Sequence, residues 1–306
     1  MTVNQRVAGS SPAGGAKLDK PSEMMAFSLS ISELGVLHLL LNLSMKLTIY
    51  QVDAFAEKVF QGNPAAVCPL KEWLNDELLL KIAAENNLSE TAFYVISEDR
   101  IEIRWFTPNT EVDLCGHATL ATAFILHKEE NFNNTLIPFH SNRSGHLPVN
   151  INNDNSYTLD FPLDHISEIS ISENLFNATS LKPIHAYKGK SDIMLIFEKQ
   201  EDIEQLKPNL SVIEKLDARG LIVTAIGNDC DFVSRFFGPQ VGVDEDPVTG
   251  SAHTTLTNYW AIVLNKNEFT AEQISTRKGK LKCKKVNNRV EITGKAILYM
   301  KGEITI

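Results

Sequence analysis

The residues of this chain best suited to chemistry are two carboxylates, one histidine and two glycine-led turns. Glu90 stands in Leu88-Ser89-Glu90-Thr91, Asp246 directly before Pro247, His117 in Cys115-Gly116-His117, and Ser251 directly after Gly250. A glycine at a helix start permits close backbone approach, and the helix N-terminus offers unpaired N–H groups and the positive end of a dipole. Two such ends, at Gly116 and Gly250, would hold a carboxylate if they faced one cleft. Glu90 and Asp246, one from each half of the chain, would then divide acid and base work across a water-poor space. Pro247 biases Asp246 toward extended backbone, which fixes the direction in which its side chain leaves the loop.

Each of these residues also has a plainer reading. Glu90 can be a solvated group at a turn, His117 a hydrogen-bonded structural group, Asp246 a turn residue and Ser251 an N-cap for an orphan N–H. Thr107 and Asn109 around Pro108 read as a turn. A thiol at a helix N-terminus, as at Cys115, can have a depressed pKa, yet its plainer role is a small packed residue. A Cys115–His117 nucleophile pair is weaker still, because residues two apart need not converge and no third orienting group is evident.

The elements that must position these residues repeat. From Met45 onward the pattern reads strand (46–55), helix (75–86), strand (91–96), turn, strand (100–106) and a small, apolar helix (118–127). The second half reads strand (193–198), helix (210–216), strands (221–226 and 232–237) and helix (252–264). Leu88-Ser89-Glu90-Thr91 aligns with Leu216-Asp217-Ala218-Arg219, Arg104-Trp105-Phe106-Thr107-Pro108 with Arg235-Phe236-Phe237-Gly238-Pro239, and Gly116-His117-Ala118 with Gly250-Ser251-Ala252. The separation grows at each step, as loop insertions would make it. In this alignment Glu90 falls on Ala218 and Cys115 on Thr249. A helix apolar nearly all round must be buried, so each half is expected to be a curved, mostly antiparallel sheet around a central helix, an α+β architecture.

Asn86-Asn87-Leu88-Ser89-Glu90-Thr91-Ala92-Phe93, the run from Arg104-Trp105-Phe106 through Leu114-Cys115-Gly116-His117-Ala118-Thr119, and Asp246-Pro247-Val248-Thr249-Gly250-Ser251-Ala252 resemble the signature of the phenazine-biosynthesis (PhzF-like) isomerase family. Gln51-Val52-Asp53-Ala54-Phe55 and Gly62-Asn63-Pro64-Ala65-Ala66-Val67 resemble its opening. The resemblance spans residues 45–306. It implies a diaminopimelate-epimerase-like fold with two pseudo-symmetric lobes, expected over residues 45–160 and 161–306, with the C-terminal strand returning to the first lobe. It implies no cofactor. By the same resemblance Glu90 is the acid/base, and His117, Asp246, Gly116 and Ser251 line the substrate pocket, with Gly250 beside them. Related racemases of this fold use one thiol from each lobe. Thr249 opposite Cys115 is no substitute, since its pKa is far too high.

The expected activity is a proton shift within a small carboxylate-bearing substrate, with α-carbon epimerisation and a ligand-binding protein with a vestigial site as alternatives. A homodimer is compatible with either reading. The chain has 306 residues, 43% hydrophobic and 22% charged, with a formal net charge of −9. That balance leaves no basic footprint for nucleic acid. Four scattered cysteines, no CxxC pair, no HExxH, no GxGxxG after a strand and no GxxxxGK[ST] speak against a metal or nucleotide cofactor. Free thiols and a cytoplasmic location are expected. Residues 1–23, rich in Ser, Gly, Ala, Pro and Lys, are expected to be disordered, and residues 1–44 to form an extension outside the folded unit. The apolar run 27–43 is short and carries Glu33, His38 and Asn42, so no membrane span is expected.

Overall fold

The computed structural model describes residues 45–306 apart from Glu98 and Asp99, so the expectations for residues 1–44 lie outside the described residues. Two lobes build up from the same order of elements. The first runs β1 (Lys46–Ala54), β2 (Asn63–Leu70), α1 (Asp76–Asn86), β3 (Glu90–Ile96), β4 (Ile101–Phe106), β5 (Glu111–Val112), α2 (Gly116–Lys128), β6 (Leu136–Ser141), β7 (Gly145–Ile151) and β8 (Tyr157–Pro162). The second runs β9 (Ser167–Ile169), α3 (Glu173–Asn177), β10 (His185–Lys188), β11 (Asp192–Ile196), α4 (Gln200–Gln205), α5 (Leu210–Ile213), β12 (Gly220–Ile226), β13 (Phe232–Gly238), β14 (Val243–Asp246), α6 (Ala252–Leu264), β15 (Glu268–Gln273), β16 (Gly279–Val286), β17 (Arg289–Gly294) and β18 (Ala296–Thr305).

The pairings repeat as well. β2 and β3 lie parallel, as do β11 and β12; β3–β4 and β12–β13 are antiparallel hairpins. β4 then pairs in parallel with β6 across α2, and β13 with β15 across α6. The lobes join where β8 runs antiparallel to β17, Leu159 opposite Ile292. β9 pairs with β10 within the second lobe, whereas β18 returns to pair with β1 of the first. The fold is thus α+β and diaminopimelate-epimerase-like, its strands joined in one continuous, mostly antiparallel sheet that wraps around one central helix in each lobe.

The central helices explain the wrapping. α2 buries nine of its side chains, from His117 to Leu126, which requires apolar walls on all sides. α6 is buried from Ala252 to Trp260 despite its Thr, His and Asn content. One apolar cluster joins both lobes, from Tyr50 and Trp105 to Leu256 and Ile292. On the outer face of the first lobe, α1 packs Leu79, Ile82 and Ala83 against Phe93 and Phe106. A separate cluster with Ile203 and Ile213 does the same for the second. Among the described residues no helix is long and apolar enough to cross a membrane, and all four cysteines are unpaired.

The register corrects the alignment of the halves. Thr91 faces Phe106 in one hairpin and Leu221 faces Phe237 in the other, so the counterpart of Glu90 is Gly220, not Ala218. A hydrophobic pattern places a strand on a sheet but leaves a slip of this size open when the loop before it is polar.

Candidate functional site

Local structure delivers Glu90 to the end of a strand. Asn75 caps α1 by accepting a hydrogen bond from the Leu78 N–H at 2.9 Å, and the helix stops at Asn87, whose φ of 49° is left-handed. Three residues later Glu90 opens β3 beside Ala65, and Asn86 Nδ2 donates to Thr91 Oγ1 at 3.0 Å to fix the turn. Asp246 arrives from the other lobe as the last residue of β14. The two central helices meet head to head, as their glycine-led starts require: a Cβ on Gly250 would lie 3.9 Å from Gly116 Cα, and one on Gly116 would lie 3.2 Å from Phe161 Cζ.

Around this meeting point lies a cleft of about 210 Å³ whose walls include Glu90, Cys115, Gly116, His117, Asp246, Gly250 and Ser251. All six residues singled out from the sequence therefore reach one cavity. Phe161, Phe236, Leu114 and Val241 give it apolar walls. A larger cavity, about 370 Å³, lies elsewhere and contains none of these residues.

The floor of the cleft is electrostatically uneven. His117 Nε2 lies 3.3 Å from Glu90 Oε2, yet neither atom has a hydrogen-bond partner of good geometry, although both are buried. Burial raises the Glu90 carboxyl, the Asp246 charge raises it further and a hydrogen bond with Cys115 opposes them, leaving it at about 7. Burial lowers His117 to about 3, so its imidazole is neutral near neutral pH. Its Nδ1 lies 3.5 Å from Cys115 Sγ. If the thiol donates there, the ring carries its proton on Nε2, facing Glu90. Burial pushes the Cys115 thiol well above its usual range, the reverse of an activated nucleophile.

Asp246 is held more tightly than its place in a loop suggested. Asn63 Nδ2 donates to its Oδ1 at 2.8 Å and Thr249 Oγ1 donates to its Oδ2, while Gln273 Nε2 donates to its backbone oxygen at 2.7 Å. Burial raises its carboxyl, these two side-chain hydrogen bonds lower it, and it stands at about 6. Asn63 comes from the first lobe and also donates to Val248 O at 2.9 Å, so the lobes share the support of this carboxylate. Gly62 makes that reach possible: its φ is +66°, and a Cβ would lie 2.1 Å from Ala54 O.

Two expectations need correction or addition. Ser251 makes no side-chain cap bond; its Oγ instead accepts a hydrogen bond from Arg219 Nη2 at 3.0 Å. Arg219 itself, which lines the cleft, was not singled out from the sequence, nor were Asn63 and Gln273. Asn63 stood within a recognised motif, but Arg219 was hidden by the misplaced strand register. Thr107 does form the expected turn, its Oγ1 accepting from the N–H groups of Asn109 and Thr110 at 3.2 and 3.0 Å.

Among the described residues, Glu90, Cys115 and His117 bring one potential metal-ligating atom each within 4.8 Å of the others.

The fold and this cleft define a class: a two-lobed, diaminopimelate-epimerase-like protein with one candidate site at the lobe junction. The sequence matches the family described as phenazine biosynthesis-like protein over residues 52–302. An uncharacterized isomerase of Pseudomonas aeruginosa is 48% identical over 260 residues, covering 85% of this chain and 99% of its own length. A crystal structure from the PhzF family of Enterococcus faecalis superposes with a TM-score of 0.83 at 44% identity, covering 86% of this chain and all of that one. A hydroxyproline epimerase from Agrobacterium vitis shares the fold alone, at a TM-score of 0.57 and 11% identity over 85% of this chain and 91% of its own. The chain belongs to the PhzF-like isomerase family.

Proposed function

We propose that the protein is a cofactor-independent isomerase that moves a proton between two carbons of a small, cyclic or unsaturated carboxylate, with Glu90 as the acid/base. The observation that carries this reading is the pair of buried atoms without partners, Glu90 Oε2 and His117 Nε2, aimed into a cleft between two helix starts. An ionised Glu90 takes the proton from carbon, and the electron pair left behind delocalises into the unsaturated system. The protonated Glu90 then returns a proton to a second carbon, so the substrate is rearranged with no net change in composition. A carboxyl at about 7 is half-ionised near neutral pH, where a general base works well. Neutral His117 donates a hydrogen bond and Asp246 positions the substrate, while first-turn N–H groups at Gly116 and Gly250, with Ser251, hold the carboxylate.

Epimerisation by paired thiols is disfavoured because Thr249 stands where the second thiol would be. The four free thiols fit a reducing compartment such as the cytoplasm. The deciding experiment is hydrogen–deuterium exchange into a set of small amino and hydroxy carboxylates in heavy water, read by NMR, with wild type and Glu90→Gln side by side. Exchange in wild type and its loss in the variant are expected. Equal exchange in both removes Glu90 as the base, and binding without exchange in either favours a ligand-binding protein.

A further inference from the structure

Arg219 has no part in the proton-transfer scheme, yet it is the one Arg or Lys among the residues described as lining the cleft. It sits at the entrance to β12, where its backbone N–H donates to Ser191 O at 2.7 Å. Its guanidinium is clamped from one side: Nε donates to Asp192 Oδ1 at 2.9 Å and Nη2 to Asp192 Oδ2, a fork-to-fork pair that fixes the plane of the group. Asp192 is only 3% exposed. The guanidinium carbon lies 5.4 Å from the centre of the Phe236 ring, and Gly220 permits that ring's position, since a Cβ there would be 2.3 Å from Phe236 Cζ.

Nη2 makes one further bond, to Ser251 Oγ at 3.0 Å. A serine hydroxyl ordinarily both donates and accepts, with its proton free to rotate. Here a permanently charged donor occupies the acceptor side, so the Ser251 proton is turned away from Arg219. No other hydrogen-bond partner for Ser251 Oγ exists among the described residues, and the residue lines the cleft. The counterpart of Ser251 in the first lobe is His117, which lies beside Glu90 and has no cation behind it.

We propose that Arg219 is a positioning and specificity residue: locked by Asp192, it makes Ser251 a dedicated hydrogen-bond donor and so biases the second-lobe side of the cleft toward an anionic group and against a neutral one of the same shape. This rests on the carboxylate reading above and adds where in the cleft the carboxylate lies. Asp192 cancels most of the net charge of Arg219, so selectivity arises from the fixed direction of the donors more than from attraction at a distance.

The test uses benzoate and its neutral isostere benzamide, whose ring suits the Phe161 and Phe236 walls, with affinities measured by calorimetry on the full chain. Wild type should take benzoate in preference to benzamide. Because Arg219→Gln alone would leave Asp192 buried without its cation, the informative variant is Arg219→Gln with Asp192→Asn, checked for an unchanged fold by circular dichroism and melting. It should lose about ten- to a hundredfold in benzoate affinity and most of the preference over benzamide. Ser251→Ala should lose a similar factor, and combining it with the paired change should cost no more than either alone, since both remove one unit. A folded Arg219→Gln, Asp192→Asn variant with wild-type affinity and preference, or losses that simply add, overturns this inference and leaves the carboxylate reading intact. Wild type that binds neither probe, or both equally, overturns the carboxylate reading and this inference with it.

Discussion

The two lobes share a frame and differ at the cleft. In the first, Arg104 forks onto Glu111 at 2.7 and 2.9 Å and lies 5.0 Å from the Phe106 ring; in the second, Arg235 forks onto Glu245 at the same two distances and lies 4.9 Å from the Phe237 ring. Behind the helix starts, Thr119 Oγ1 donates to Cys115 O, and the corresponding His253 Nδ1 bonds Thr249 O. At the cleft the match ends. Where the first lobe has Glu90, Cys115 and His117, the second has Gly220, Thr249 and Ser251. Where it has Val112, the second has Asp246. The parts that hold the sheet to the helix are matched between the lobes, and the unlike residues that line the cleft are divided between them.

The largest test of that division is Glu90→Gln, which should lower proton exchange by about a hundred- to ten-thousandfold while changing ligand affinity only modestly. Its pH signature is distinct. In wild type, exchange should rise as Glu90 ionises through about 7, with no second step from His117, which is already neutral. The folded-state value exceeds the ordinary 4.5, so Glu90 contributes stability that is fully present below pH 4.5 and lost as the pH rises through about 7. Above pH 7 the Gln variant should therefore be more stable than wild type, by up to about 3 kcal/mol in urea titrations. Equal stability at pH 8 would mean that the carboxylate is not strained by its surroundings.

Next in size is Asp246→Asn. Binding and turnover should fall together, by about ten- to a hundredfold in kcat/KM, because Asn63 and Thr249 lose a charged acceptor. Losing the neighbouring negative charge should also move the Glu90 midpoint downward in the pH profile. An upward move would show that Asp246 does not face Glu90 electrostatically.

Gly220→Ala probes the empty counterpart of Glu90. Its Cβ would meet Phe236, so a loss of about 1–3 kcal/mol in stability is expected, and tolerance without cost would weaken the claim that this position is closed to side chains. Smallest is Cys115→Ala, which should keep most of the exchange at a stability cost of about 1 kcal/mol. Abolished exchange in a folded Cys115→Ala protein would restore a thiol mechanism and with it a more symmetric view of the lobes.

The order of elements was legible because each kind of segment carries its own signal: β1 is rich in strand-forming residues, α1 has helical spacing from Asn75 onward, and the central helices are mostly apolar or small. The cleft was legible in part for a related reason. Glu90, His117 and Asp246 are chemically conspicuous, and the last two stand beside a glycine and a proline. Arg219 was not legible, because its place depends on which residue of β12 faces which residue of β13, and strand register is settled by packing across the sheet. The plainer reading of Ser251 as an N-cap fails for the same reason. A serine at a helix start caps by default, and only a competing donor from another strand, Arg219, redirects it.

The return of β18 to the first lobe also shapes how this chain can be made. β1 is among the first described segments to leave the ribosome, yet its partner β18 is the last strand in the chain, and the pairing ends in Met45 and Ile306 exchanging two backbone hydrogen bonds of 2.8 Å. Until Ala296–Thr305 is synthesised, one edge of the first lobe stays unpaired and able to recruit strands from other chains. The second lobe, whose β9 and β10 follow one another in the chain, has no such wait. Folding is therefore expected to finish late and through contacts distant in sequence, a slow class of closure, so loss of the final ten residues should be felt first as aggregation of nascent protein.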